Sequence, residues 1–392
     1  MDPTAPSFFV SSAESQPGSA ARTLPCKRLT LAISSLGSGG AERVMSVLAN
    51  HWAKTGVRVT LIVLASPEVE PFYPLDPRVH LVSLDLTHNT RNAAVAIAWN
   101  LRRCVAIRRE IVRSNPDCVI SFLDTMNVIV LLSTLGLPVP VIVSERTHPK
   151  NCSIGRAWSV LRRSTYRTAN RIVVQTADIA VYMAEAFGLP TVVIPNPLPL
   201  SKVHAIAEPE RSCTLVAMGR LIHSKGFDVL LDAFSRVAAR YPDWSVVIYG
   251  DGTDRPALEA KVQALNLRKR VSLPGRVRDP FSAMAQAGLF VLPSRYEGFP
   301  NALCEAMAVG LPVIATDCPS GPADIITNGT SGVLVPVEDA EALATSLSRL
   351  MGDPAMRKRL GSEARRSVER FALPSIADLW NVEIARAISG RT

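Results

Sequence analysis

A chain of 392 residues, 47% hydrophobic and 20% charged, has room for two ordinary domains, each with its own core, and is too apolar for a disordered protein. Its seven cysteines, at positions 26, 104, 118, 152, 213, 304 and 318, include no C-x-x-C pair, which argues against a zinc site or disulfide framework and for reduced thiols in the cytoplasm. The formal charge of +9 is unevenly placed: residues 91–170 hold twelve Arg and Lys against four acids, a surplus that favours an anionic partner such as phosphate, nucleic acid or a membrane surface.

Residues 1–25 are rich in Ser, Ala and Pro, show no periodicity and read as a flexible tail. Asp2 stands where a secretory signal carries its basic segment, and no long apolar run follows. A strand at 29–34 then leads into the turn Gly37-Ser38-Gly39-Gly40, a helical pattern at 41–54 and a strand at 57–64. Further strands are expected at 118–121, 139–144, 171–175 and 191–194, mostly separated by turns and helical stretches. The longest apolar stretch, 128–143, is interrupted by Ser133, Thr134, Gly136, Pro138 and Pro140. It falls short of the roughly 20 apolar residues a membrane span needs, and reads as two buried strand or helix pieces.

A second series follows the stiff segment Pro195-Asn196-Pro197-Leu198-Pro199, which suits a crossing between domains. Strands are expected at 214–218, 245–249, 270–273, 289–292, 312–315 and 332–335, with helices at 226–240, 255–265, 301–309 and 340–350. An amphipathic stretch at 374–388 closes the chain. Strands alternating with helices imply parallel sheets covered on both faces. The expected architecture is α/β, with two doubly wound Rossmann-like domains at 26–197 and 198–373 facing a cleft, and a segment at 374–392 crossing back to the first domain. Ligands of such sheets bind beyond the C-terminal strand ends.

The first Gly-rich turn resembles a dinucleotide fingerprint but breaks it, because Glu42 stands where the third glycine belongs. Gly39 and Gly40 still allow a ligand close to a helix N-terminus, which attracts phosphate. A sharper signal is Glu297-Gly298-Phe299-Pro300-Asn301-Ala302-Leu303-Cys304-Glu305, two glutamates eight positions apart between an apolar strand and a helix. Carboxylates so placed can accept hydrogen bonds from the hydroxyls of a sugar and a ribose. Gly219-Arg220-Leu221-Ile222-His223-Ser224-Lys225-Gly226 lies in another strand-to-helix loop. Its Arg and Lys can clamp a diphosphate and stabilise the charge that grows on it as a glycosidic bond breaks. Gly250 and Pro274-Gly275-Arg276-Val277 end later strands and could bracket a nucleoside.

Over roughly residues 29–390 the chain resembles the retaining glycosyltransferases of family 4, which have the two-domain GT-B fold. The family's E-x7-E element is matched by Glu297 and Glu305, and its G-R-x-x-x-x-K-G loop by Gly219, Arg220, Lys225 and Gly226. The resemblance implies that Arg220 and Lys225 hold the donor phosphates and that Glu305 holds the ribose. It also implies that Glu297 approaches the transferred sugar, with the backbone of Gly298, Phe299 and Pro300 beside it and Asn301 adjoining. Gly39-Gly40-Ala41-Glu42 looks like the loop that closes on donor and acceptor. The chain departs from the family at the position many members give to a histidine: here the segment is Ser144-Glu145-Arg146-Thr147-His148-Pro149, so Arg146 occupies that place or His148 serves from two residues on.

The expected activity is transfer of a hexose or N-acetylhexosamine from a nucleoside-diphosphate sugar, uridine ahead of guanosine, to a saccharide or polyprenyl-diphosphate-linked saccharide. No metal or other cofactor is expected, since no convincing D-x-D loop or histidine cluster appears. Retention would come from attack on the face that the leaving group vacates, or from double displacement through Glu297. A nucleotide-sugar epimerase or a phosphorylase of similar fold is the alternative. Trp158 among Arg156, Arg162 and Arg163 suits a lipid headgroup interface, so the expected location is the cytoplasm, peripheral on the inner membrane. A solvated basic face is the other reading of that block. Nucleic acid is not an expected partner, because aromatic residues do not interleave with the basic cluster.

Overall fold

The computed structural model describes residues 26–87, 92–151, 154–204 and 211–390; the tail read at 1–25 lies outside them. Two wholly parallel sheets organise the chain. The first comprises β1 Arg28–Ile33, β2 Arg58–Val63, β3 His80–Ser83, β4 Cys118–Phe122, β5 Val141–Ser144, β6 Arg171–Val174 and β7 Val192–Val193, in the order β3-β2-β1-β4-β5-β6-β7. The second comprises β8 Thr214–Met218, β9 Ser245–Tyr249, β10 Val271–Gly275, β11 Leu289–Leu292, β12 Val313–Thr316 and β13 Val333–Val335, in the order β10-β9-β8-β11-β12-β13. Every residue of β4, β5, β11 and β12 is buried, as expected of strands covered by helices on both faces.

In each sheet the strand order reverses between the first strand and its fourth: β1 pairs with β4 and β8 with β11. The loops that leave these strands therefore diverge and open a crevice at the C-terminal edge. The turn at 37–40 follows β1, the loop 219–226 follows β8, and 293–300 follows β11. Both halves thus place their glycine- and charge-rich loops at a switch point.

The apolar stretch at 128–143 resolves into most of the helix Asp124–Thr134 and the strand β5. Three elements lie beyond the sequence reading: the edge strand β3 and the helices Ala93–Ser114 and Pro354–Ser367. The chain passes between the halves twice, side by side. Leu198 donates to Phe371 O at 2.7 Å, and Leu373 donates to Leu198 O at 2.9 Å. The final helix, Leu373–Ser389, then lies on the first sheet. Its buried Trp380 meets Trp52 edge-on, centroids 6.5 Å apart, and Phe122 at 5.8 Å. Among the described residues no helix is long and apolar enough to cross a membrane.

One expectation is corrected here. Arg162 cannot face lipid beside Arg156 and Arg163, because it is buried, stacks 5.0 Å over Phe187 and pairs with Glu145 at 3.4 Å. Trp158 is half-buried and packs against the core of the first half. A buried guanidinium needs such a partner, and Glu145 supplies it from the next layer.

Candidate active site

The loop after β8 is held from three sides. Gly226 has φ 62°, and a Cβ there would lie 2.0 Å from Pro293 O, so only glycine fits. Arg295 donates its amide to Ser224 O at 2.8 Å and makes a forked ion pair with Asp228 at 2.7 and 2.8 Å. This fixes Lys225 against the loop after β11, where its Nζ lies 2.6 and 2.7 Å from the two carboxylate oxygens of Glu297. Ser294 donates its hydroxyl to the same carboxylate at 2.6 Å. Glu297 is buried, and the pairing spares it the cost of an isolated charge out of water. Arg220 is exposed and its side chain has no ion-pair or hydrogen-bond partner among the described residues.

Glu305 lies in the helix Asn301–Ala308 and is 2% exposed. Its partner comes from the other half of the protein. Arg43, in the first turn of the helix Gly40–Lys54, makes an ion pair with it. The Arg43 guanidinium sits 5.8 Å from the Tyr73 ring and 5.5 Å from the Phe281 ring. Sequence reading stopped at Glu42 and missed Arg43, although it is the next residue after the Gly39-Gly40-Ala41-Glu42 signal. Glu42 folds its carboxylate back over Gly39, where a Cβ would lie 2.2 Å from it. Burial pushes the Glu42 carboxyl above its usual range, and the field of Arg220 from across the cleft acts in the opposite direction.

A polar chain joins the halves beside this pair. Buried Arg146 bonds Ser144 Oγ at 3.2 Å and Asn196 Oδ1, and stacks 4.3 Å over Phe122. Burial lowers its pKa to about 9, which leaves it a cation at neutral pH. Asn196 Nδ2 donates to Asn301 Oδ1 at 2.6 Å, and Asn301 Nδ2 donates to Gly40 O at 3.3 Å. His148 turns elsewhere: its Nδ1 accepts from the Lys150 amide at 3.1 Å, and its Nε2 lies 3.2 Å from Asp178. Burial lowers the His148 pKa, against the pull of Asp178. Arg146 and His148 thus diverge, with the Arg146 side chain joined to the Asn196–Asn301 chain. Neither Asn196 nor Gln175, which donates to it at 2.9 Å, was singled out from sequence. No local motif marks them.

Gly298 lies where a Cβ would come 3.0 Å from Arg146 O and 3.2 Å from Gln175 Oε1, so the loop after β11 meets the first half with no room for a side chain. The Gly298 and Phe299 amides have no partner among the described residues. The Phe299 side chain points into the core, edge-on to Phe371 at 5.4 Å, so what it offers the cleft is backbone. Pro300 precedes the helix that carries Asn301 and Glu305. At the outer end, Gly250 has φ 144° and a Cβ there would meet Gly219 O at 1.8 Å, so the two βα loops touch backbone to backbone. Val277 is half-buried and Arg276 exposed. Arg276 adds to the field that keeps the Asp251 carboxyl low, an effect due first to the hydrogen bond from Arg255.

Two doubly wound domains whose switch-point loops meet across one cleft make the GT-B architecture. Residues 38–202 match the family described as Glycosyltransferase Family 4 and residues 201–367 that described as Glycosyl transferases group 1; the chain belongs to this family and is a glycosyltransferase. It is 29% identical over 361 residues to a Campylobacter jejuni enzyme named GalNAc-alpha-(1->4)-GalNAc-alpha-(1->3)-diNAcBac-PP-undecaprenol alpha-1,4-N-acetyl-D-galactosaminyltransferase, covering 90% of this chain and 97% of that one. Its fold is similar to that of a sucrose-phosphate synthase from Thermosynechococcus elongatus, with a TM-score of 0.79, 19% identity and coverage of 93% and 100%. It is also similar to the Anabaena protein HepE in complex with UDP, with a TM-score of 0.73, 18% identity and coverage of 93% and 100%.

Proposed function

We propose that the protein is a retaining, metal-independent glycosyltransferase that moves a hexose or N-acetylhexosamine from a UDP-sugar to a saccharide carried on polyprenyl diphosphate. The observation that carries this reading is the Lys225–Glu297 contact beside Glu305, with Arg220 free at the same switch point. Arg220 and Lys225 would take the diphosphate, with the Gly298 and Phe299 amides at a helix N-terminus as further donors. Lys225 then exchanges the Glu297 carboxylate for phosphate, and Glu297 is left facing the sugar. Glu305 would take the ribose hydroxyls, which requires Arg43 to give way.

As the bond from the anomeric carbon to the β-phosphate oxygen breaks, negative charge grows on the phosphate and positive charge on the sugar ring. Lys225 and Arg220 stabilise the first and Glu297 the second, all pre-placed in a cleft with little water. The acceptor hydroxyl attacks from the side the phosphate leaves, and that phosphate accepts its proton. Glu297 has one oxygen bonded by both Ser294 and Lys225, which supports an electrostatic role over a nucleophilic one. Arg146 takes the place that many family members give to histidine, since its side chain belongs to the Arg146–Asn196–Asn301 chain. The Campylobacter relative's name supports a lipid-linked acceptor, and HepE supports UDP. An enzyme using such an acceptor works peripherally at the cytoplasmic face of the membrane.

The test is incubation of purified protein with a panel of UDP- and GDP-sugars and a polyprenyl-diphosphate saccharide, with and without chelator. Transfer from a UDP-sugar with the α configuration kept, undiminished by chelator, is the expected result. Inverted product, or activity abolished by chelator and restored by magnesium, would contradict the mechanism.

A further inference from the structure

The helix Ala93–Ser114 carries apolar residues on two faces. Ile107 and Ile111 are buried against the first sheet. On the outer side Ile97, Leu101, Val105 and Val112 are 58 to 68% exposed. Three of them are spaced four residues apart and Val112 follows seven after Val105, so they form one stripe along the helix. Exposed Arg102, Arg109 and Arg113 run along its border. Beyond the helix Asp124–Thr134, the helix Arg156–Thr165 adds Val160, 68% exposed, with exposed Arg156 and Arg163. The acids on these described segments are withdrawn: Glu110, Asp117 and Asp124 are half-buried and Glu145 is buried. A solvated helix face would carry polar residues where this one carries Ile, Leu and Val.

We infer that this face is a membrane-docking surface: the apolar stripe of the helix Ala93–Ser114 lies in the plane of an anionic bilayer surface, with its arginines among the headgroups. A mixed apolar and basic stripe without exposed acid is the chemistry of an interfacial helix. Purely protein partners with acidic faces would pair with the arginines but leave the four aliphatic side chains in water or against polar groups. The inference rests on the lipid-linked acceptor proposed above, because docking here would hold the cleft near the surface that carries the acceptor. It also explains why the charge surplus survives the loss of Arg162 from the surface.

The test uses the full chain with vesicles of phosphatidylglycerol or phosphatidylcholine, read by co-sedimentation and by the emission of half-buried Trp99 on the same helix. Two triple variants are compared with the parent: Ile97→Ser, Leu101→Ser, Val105→Ser and Arg102→Gln, Arg109→Gln, Arg113→Gln. All six positions are exposed except for the stacking of Arg102 on Trp99, so folding should be retained, and thermal melts check this. The parent should partition onto phosphatidylglycerol vesicles, with a blue shift of Trp99 and little binding to phosphatidylcholine. Each triple variant should partition at least tenfold less. Parent binding to neither vesicle, or an apolar triple variant that binds as well as the parent, would overturn the inference. A parent dimer that the apolar triple variant converts to monomer would assign the stripe to a second copy and overturn it equally. Donor hydrolysis without vesicles is measured in parallel and should be unchanged in both variants. Its absence in the parent would count against the proposed catalysis alone.

Discussion

Arg43 and Glu305 form an ion pair that joins the first half of the protein to the second across the cleft. The carboxylate proposed to receive the ribose is therefore already engaged in the free protein. Nucleotide binding exchanges one partner for another, and part of its affinity is spent on the exchange.

Arg43→Gln should bind nucleoside diphosphate more tightly than the parent, because no cation has to leave Glu305. It should also lower the melting temperature of the free protein, since a buried carboxylate left without its partner costs about 1–3 kcal/mol or more. Calorimetry and thermal melts check the two effects. Weaker nucleotide binding in Arg43→Gln would show that Arg43 contacts the nucleotide itself.

Arg220 and Lys225 should separate in a way their shared role does not suggest. Loss of either should cut turnover about a hundredfold or more, as for other lost transition-state donors. Only Lys225→Ala should also destabilise the free protein, because it strands buried Glu297, whereas Arg220 is exposed and unpaired. Steady-state rates and melts on both single variants test this. Equal stability losses, or full turnover in both, would contradict it.

Most of the sheet framework was legible, because the inner strands are short, apolar and bounded by Gly or Pro. The edge strand β3 was not, since none of its residues is fully buried and its sequence carries no apolar run. The helix Ala93–Ser114 escaped for the opposite reason: Ile107 and Ile111 point inward and Ile97, Leu101 and Val105 outward, which blurs a one-sided pattern. At the site, the motif residues fell at the switch points. Their partners were hidden because Arg43, Asn196 and Gln175 meet them only when the two halves pack. Counting charge likewise placed Arg162 on the surface, blind to Glu145 beneath it.

Glu145 gives the protein a pH-dependent stability. Burial raises its pKa from 4.5 to about 7, against the field of Arg162 and the hydrogen bond from Tyr166. Between those values the native state keeps a proton that the unfolded chain releases, so stability falls as pH rises. Below pH 4.5 Glu145 contributes no penalty, and above about 7 the penalty is complete. Urea midpoints of the parent and Glu145→Gln should therefore diverge between pH 5 and pH 7, with the parent losing more on going up. Parallel profiles would contradict the raised value.

Trp380 ties the final helix to the first sheet through Trp52 and Phe122. Trp380→Ala should lower stability by about 3–5 kcal/mol, the usual cost of removing a buried tryptophan. A loss under 1 kcal/mol in denaturant unfolding would mean that the helix docks without it.

The central claim is that the cleft binds a nucleoside diphosphate through Glu305 and works on the sugar through Glu297. Calorimetric titration of UDP into the parent, Glu297→Gln and Glu305→Gln tests it most directly. The parent should bind UDP, and Glu297→Gln should bind it at least as well, since that residue faces the sugar the product has lost. Glu305→Gln should bind more weakly by about 1.5–3 kcal/mol, roughly 10- to 150-fold, the range for hydrogen bonds to a charged group. A parent that does not bind UDP, or a Glu305→Gln variant that binds it as tightly as the parent, would contradict the account.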